Sequence, residues 1–159
     1  MATATATDPT CTLVMFTVGG LDCAIALDQI EEVVAMPAVT PLPGAPDHLL
    51  GAIDFHGRTL AVIDLHRLLG LSPTPISVDQ YLLVMRSGDT GLAARCDGVH
   101  GLVGAVVESI GGIEGGFIHG LAKGATGLLL VLDASALEHA VPLAARAAKR
   151  LIRTVGAHG

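Results

Sequence analysis

The sequence predicts a mainly β protein of two small closed barrels related by internal duplication, with short helices and a C-terminal helix. Three observations carry that expectation. Short β-branched and aliphatic runs recur along 159 residues, broken by Gly and Pro turns. The order of hairpin, loop, hairpin and short helix occurs twice. An offset of 69 residues lays residues 11–70 on residues 80–139 with ten identities, among them Gly51 on Gly120, Asp28 on Asp97, Asp64 on Asp133 and Leu68 on Leu137. A half of about 60 residues is marginal alone, so two halves should share one packed unit.

The elements follow in order. Residues 11–18 (CTLVMFTV) and 21–26 (LDCAIA) flank Gly19-Gly20 and form a hairpin. Residues 27–36 make a helical turn feeding a strand. Pro37, Pro41, Pro43 and Pro46 exclude both helix and central strand, leaving a rigid extended loop. Residues 49–55 and 59–64 pair about a His56-Gly57 turn, and 65–69 form a brief helix closed by Gly70. Residues 72–79, with Pro73 and Pro75, are a linker. The pattern restarts at 81–86, a turn at Ser87-Gly88-Asp89, then 91–96 and 99–107. A Gly-rich loop (111–116) and two runs (117–122, 128–133) lead into an Ala-rich helical stretch with a break at Pro142. Asp64 and Asp133 each end a strand before a helical turn and read as N-caps.

Composition limits what the chain can do. It is 51% apolar and 15% charged, which excludes a disordered chain. Three Phe, one Tyr and no Trp leave aliphatic residues to fill the core and supply no stacking platform for single-stranded nucleic acid. The formal charge of −6 opposes binding to phosphate backbones. That charge is divided: acids dominate before residue 140, whereas Arg146, Lys149, Arg150 and Arg153 follow with no acid. Arg146, Arg150 and Arg153 fall on one helical face and Leu143, Ala147 and Leu151 on another. Residues 1–10 read as a loose polar tail rather than a signal peptide. No aliphatic run approaches a bilayer span. These features suit a cytoplasmic protein with reduced thiols, in which Cys11, Cys23 and Cys96 are small buried hydrophobes.

Signals for catalysis are weak. There is no GxSxG, no GxxxxGK[ST], and GGIEGG lacks the strand–loop–helix setting of a nucleotide site. Seven scattered histidines (His48, His56, His66, His100, His119, His139 and His158) include no HExxH or HxH, so no metal or other cofactor is expected. A ligand- or metal-binding regulatory domain using those histidines is the alternative reading.

Leu49-Leu50-Gly51-Ala52-Ile53-Asp54-Phe55-His56-Gly57, followed by Leu60-Ala61-Val62-Ile63-Asp64-Leu65, resembles the CheW-like domain family of chemotaxis coupling proteins. Phe16-Thr17-Val18-Gly19-Gly20, Ile30-Glu31-Glu32-Val33, Val39-Thr40-Pro41-Leu42-Pro43 and the stretch from Phe117 to Asp133 resemble it too. The likeness runs from 11 to 139. It implies two SH3-like five-stranded barrels, the first mostly 11–70 and the second mostly 80–133 with strand exchange; the basic helix and tail over 140–159, read from charge and spacing, lie beyond the likeness. It further implies a non-enzymatic adaptor that couples the cytoplasmic tip of a chemoreceptor to a CheA-type histidine kinase, without nucleic acid or direct membrane insertion. Partner-binding positions carried over by resemblance are Ile30, Glu32, Asp54, His56, Gly57 and Arg58; structural ones are Gly51, Asp64, Gly120 and Asp133. The family's usual Asn-Leu-Arg is Asp54-Phe55-His56 here, and a mostly neutral His replaces a permanently charged, bidentate Arg.

Overall fold

The computed structural model describes residues 10–72, 74–86, 91–109, 116–124 and 127–140. The expected N-terminal tail, the Ser87-Gly88-Asp89 turn, most of the GGIEGG loop, Pro142 and the basic helical face lie outside the described residues, apart from Thr10 and Gly116. The described residues form eleven strands: β1 (Cys11–Val18), β2 (Leu21–Ala26), β3 (Ile30–Ala35), β4 (Leu49–Phe55), β5 (Arg58–Asp64), β6 (Tyr81–Met85), β7 (Leu92–Cys96), β8 (Gly98–Ala105), β9 (Glu108–Ser109), β10 (Ile118–Lys123) and β11 (Leu128–Leu132). A 3-10 turn (Leu27–Gln29) precedes β3. Helix α1 is Leu65–Leu68 and α2 is Ala134–Ala140.

The strands form a six-stranded sheet, β8-β1-β2-β11-β10-β9, and a five-stranded sheet, β3-β6-β7-β5-β4. Neither closes, which corrects the expectation of two five-stranded barrels. A barrel needs every strand paired on both sides. In the five-stranded sheet the return toward β4 stops at a single bridge, where Thr40 and Ala52 exchange backbone hydrogen bonds of 2.9 Å. Just beyond the bridge the Leu42 carbonyl accepts the Ala45 N–H at 3.2 Å, a turn that takes the chain out of the ladder. In the other sheet β9, which the sequence reading missed, is only two residues long and pairs with β10, leaving β8 an edge.

The duplication is written into the strand pairing. Ala61 opposes Leu92 where β5 runs parallel to β7, and Leu130 opposes Cys23 where β11 runs parallel to β2. The 69-residue offset converts one pair into the other. It also carries the register shift between Leu49 and Gly51 onto that between Ile118 and Gly120. Each half therefore completes a sheet with strands of the other half, so both sheets are mixed.

Continuous apolar runs such as Leu60-Ala-Val-Ile63 arise because these strands are buried on both faces. Ala61 and Ile63 join Val14, Phe16, Ile25, Leu83 and Leu92 in a core shared by both sheets. Leu60 and Val62 turn the other way, into a cluster with Ile53, Phe55, Leu82 and Met36 inside the five-stranded sheet. Leu13, Ala24, Leu129 and Val131 form the matching cluster of the six-stranded sheet. Burying such a side chain contributes about 1.5–3 kcal/mol. Cys23 and Cys96 are buried as expected, but Cys11 is exposed, because burial along β1 begins only at Leu13.

Candidate partner-binding surface

The β4–β5 connection is a two-residue turn. His56 (φ 51°) and Gly57 (φ 81°) both take the left-handed conformation, between the closing pair Phe55 and Arg58. That is the geometry a tight hairpin demands, and Gly57 adopts it without a Cβ penalty. The His56 ring leans on Phe55, with centroids 4.3 Å apart and planes at 60°. The Arg58 guanidinium lies 5.9 Å from the same ring centroid, inside cation–π range. Its Nη2 also donates to Glu31 Oε1 at 3.1 Å.

Strand β3 receives that contact through a bulge. Ile30 opposes Met85 but Glu32 opposes Val84, so Glu31 is the extra residue and is turned outward. Ile30 is 6% exposed, whereas Glu31 and Glu32 face solvent. Beside them runs a groove of about 630 Å³ lined by Ala26, Leu27, Asp28, Ile30, Glu31 and Arg86, among others. Arg86 holds the start of β3, its Nε donating to the Asp28 carbonyl (3.2 Å) and Nη2 to the Ile30 carbonyl (3.3 Å). Leu27, 41% exposed, gives the groove an apolar lip.

The residues carried over by resemblance therefore occupy two elements. Asp54, His56, Gly57 and Arg58 share the hairpin end, Asp54 exposed and opposite Thr59. Ile30 and Glu32 flank Glu31 on β3, and the Arg58–Glu31 pair joins the two groups.

The four structural positions fall into two matched pairs. A Cβ on Gly51 would collide with the Thr40 carbonyl oxygen, and one on Gly120 with the Glu108 carbonyl oxygen. Asp64 accepts the His66 N–H at 3.1 Å and Asp133 accepts the Ser135 N–H at 3.1 Å, each at the head of its helix. Their own N–H groups donate to His48 and Phe117 carbonyls, residues again 69 apart.

A buried polar cluster was not foreseen. Arg95 and His66 are 0% exposed and Asp64 2%. Arg95 Nη2 donates to Asp64 Oδ1 (3.2 Å) and Nη1 to the Thr74 carbonyl (2.8 Å). His66 sits between two carboxylates, with Nδ1 3.3 Å from Asp64 Oδ1 and Nε2 3.0 Å from Asp97 Oδ2. Partial burial raises the Asp97 pKa. Hydrogen bonds from the Gly19 N–H, the Gln80 amide and His66 more than offset this, holding the carboxyl below its ordinary value. The only sequence hint was His66 two residues after Asp64, read there as one scattered histidine. The cluster lacks an accessible nucleophile: burial first, then neighbouring acids, push the Cys23 and Cys96 thiols up to about 12. Among the described residues no group of three or more His, Cys, Asp and Glu could hold a metal ion, and no helix is long and apolar enough to cross a membrane.

Two interlocked sheets with a groove, a charged hairpin end and no catalytic constellation among the described residues define an interaction module. The CheW-like domain model matches residues 12–141, and the chain belongs to that family. Its members are non-catalytic scaffolds that link chemoreceptors to the CheA kinase, and this chain is one of them. It is 27% identical over 132 residues to the chemotaxis protein CheW of Treponema pallidum, covering 76% of this chain and 78% of that one. It is 28% identical over 113 residues to protein PilI of Pseudomonas aeruginosa, covering 67% and 64%. The scaffolding protein TtCheW of Thermoanaerobacter tengcongensis shares the fold, with a TM-score of 0.71 at 20% identity over 77% of this chain and 88% of that one.

Proposed function

We propose that the unit 11–139 couples its receptor and kinase in the cytoplasm through Ile30, Glu32, Asp54, His56, Gly57 and Arg58, with 1–10 and 140–159 as flanking segments. The observation that carries this reading is the Arg58–Glu31 contact, which makes the hairpin end and the groove wall one continuous surface. Apolar area from Leu27 and the groove supplies affinity, and the charges around it choose the partner. Arg58 provides the permanent positive charge that His56 does not. Titration calorimetry with a CheA-type histidine kinase and a chemoreceptor cytoplasmic fragment from the same organism is the test. Binding at roughly micromolar affinity supports the reading, and no binding to either fragment at roughly tens of micromolar overturns it.

A further inference from the structure

The buried cluster around His66 joins the two sheets. Asp97 lies between β7 of the five-stranded sheet and β8 of the six-stranded one. Its N–H donates to the Thr17 carbonyl (2.8 Å), and its Oδ2 accepts the Gly19 N–H (2.6 Å), so backbone and side chain both fasten the β1–β2 turn. The same carboxylate meets His66 Nε2 through Oδ2 (3.0 Å) and accepts from Gln80 Nε2 through Oδ1 (2.8 Å). Leu71 packs beside the turn, its Cδ1 3.0 Å from where a Cβ on Gly19 would stand. Asp97 thus holds α1 and the segment after it to the β1–β2 hairpin.

Both nitrogens of the His66 ring face carboxylate oxygen, Nδ1 at Asp64 (3.3 Å) and Nε2 at Asp97 (3.0 Å). A carboxylate only accepts, and a neutral imidazole has a single N–H to give. An imidazolium satisfies both contacts. Arg95 Nη2, 3.4 Å from Nδ1, lies nearer to Asp64 Oδ1 at 3.2 Å. Among the described residues the charged side chains on the ring are Asp64 at the end of β5, Arg95 on β7 and Asp97; Thr74, Gln80 and the Gly19 N–H complete the cluster and are neutral. Two carboxylates against one guanidinium leave an uncancelled negative charge where His66 and Arg95 are 0% exposed, and a protonated ring cancels it. Burial pushes the Asp97 pKa up, but hydrogen bonds from Gly19, Gln80 and His66 more than offset it, so Asp97 stays ionised wherever a histidine titrates. The duplicate half makes its comparable link with an amide and no histidine. Gln29 Nε2 donates to Asp133 Oδ1 (2.9 Å) and Gln29 Oε1 accepts the Ala134 N–H (3.1 Å).

We propose that His66 is a doubly protonated bridge between Asp64 and Asp97, and that its second proton makes the joint between the sheets pH-sensitive. Charge-assisted hydrogen bonds are roughly twice as strong as neutral ones, so the joint is tight while the ring is charged and slackens as rising pH removes the proton. The hairpin fastened at Gly19 has its other end at the groove, where Thr12 and Ala26 form part of the wall. A slack joint frees the hairpin and, with it, that wall. Any effect on partner binding rests on the proposed function, whereas the bridge itself does not.

The test uses the full chain, isotope-labelled and without any partner. At about pH 7.5, roughly one unit above the ordinary histidine value, nitrogen NMR should find protons on both His66 ring nitrogens. Protection of the Gly19 amide from hydrogen exchange, corrected for base catalysis, should fall severalfold between about pH 6 and about pH 8.5, with the Ala26 amide resonance moving in step. His66→Gln installs the amide chemistry that Gln29 uses. Thermal melting should show this variant folded, and its Gly19 protection should not change with pH. A single ring proton on Nε2, with Nδ1 accepting from Arg95, overturns the proposal even where the variant fails to fold. So does Gly19 protection that is flat with pH in the wild type, or that falls equally in His66→Gln. An Ala26 resonance that stays still while the ring titrates overturns the reach to the groove. No readout contains kinase or receptor, so failure here and failure of the adaptor reading are separable.

Discussion

Arg58 reaches Glu31 across a sheet in which β6 and β7 lie between their strands, closing to 3.1 Å. Only strong curling brings the start of β5 that near β3. The pair is half-exposed, 47% and 33% by side chain, so its worth to folding is about 0–1 kcal/mol and falls with salt. A double-mutant cycle with Arg58→Ala and Glu31→Ala should give a coupling below about 1 kcal/mol in urea unfolding, while partner affinity drops severalfold for Arg58→Ala. A coupling of several kcal/mol would mean the pair holds the fold rather than shapes the surface.

Glu32 faces solvent opposite Val84. Glu32→Lys should leave stability within about 0.5 kcal/mol and weaken binding to the kinase or receptor fragment. A sharp fall in Tm with affinity intact would remove Glu32 from the binding surface.

Gly51 (φ 154°) sits where the Thr40–Ala52 bridge crosses β4. Gly51→Ala should cost at least about 3 kcal/mol, because the intruding Cβ meets backbone rather than a yielding side chain. Gly57→Ala, whose Cβ meets nothing within 4 Å, should cost only the left-handed penalty of about 1–2 kcal/mol. Equal losses in chemical denaturation would show that the Thr40 contact is immaterial.

Asp97 has a folded-state pKa held below its ordinary value. Its stabilising contribution is therefore complete above the unfolded carboxylate range, about 4, and is lost as pH falls through the lower folded value. Stability should decline between pH 5 and the acid limit less steeply in Asp97→Asn than in the wild type. Parallel declines would assign the acid sensitivity to other carboxylates.

Of the thiols, Cys11 is exposed, while Cys23 and Cys96 are buried with pKa values near 12. At pH 8 an aromatic disulfide reagent should label Cys11 far faster than the other two, which become reactive on unfolding. Rapid labelling of Cys23 or Cys96 in the native protein would contradict their burial.

Much of the architecture was legible because it rests on local chemistry. Gly19-Gly20 and His56-Gly57 mark hairpins, Gly70 ends α1 with φ 74°, and the prolines from 37 to 46 exclude a regular element. Even the duplication was readable, since Gly51 and Gly120 face the same backbone collision. Closure was misread because it depends on contacts between edges far apart in sequence, and a local pattern says nothing about whether Thr40 bridges once or several times. The polar cluster escaped for a related reason. Arg95 reads as one polar residue in an apolar run, and only the fold brings Asp64, His66 and Thr74 around it. Likewise nothing in the stretch Ile30-Glu31-Glu32-Val33 sets Glu31 apart from Glu32; only the bulge turns it toward Arg58.

The reciprocal parallel pairings, β5 with β7 and β11 with β2, bear on how this chain can come apart. A chain nicked near residue 75 would be cut into two fragments, each holding strands that belong to both sheets. Neither fragment could satisfy its own backbone, so each alone should remain unfolded, and mixing them should restore one body in a bimolecular reaction. An ancestor with a single half would have met the same deficit and could have relieved it by clasping a second copy of itself. The covalent join would then have turned a concentration-dependent handshake into a permanent one.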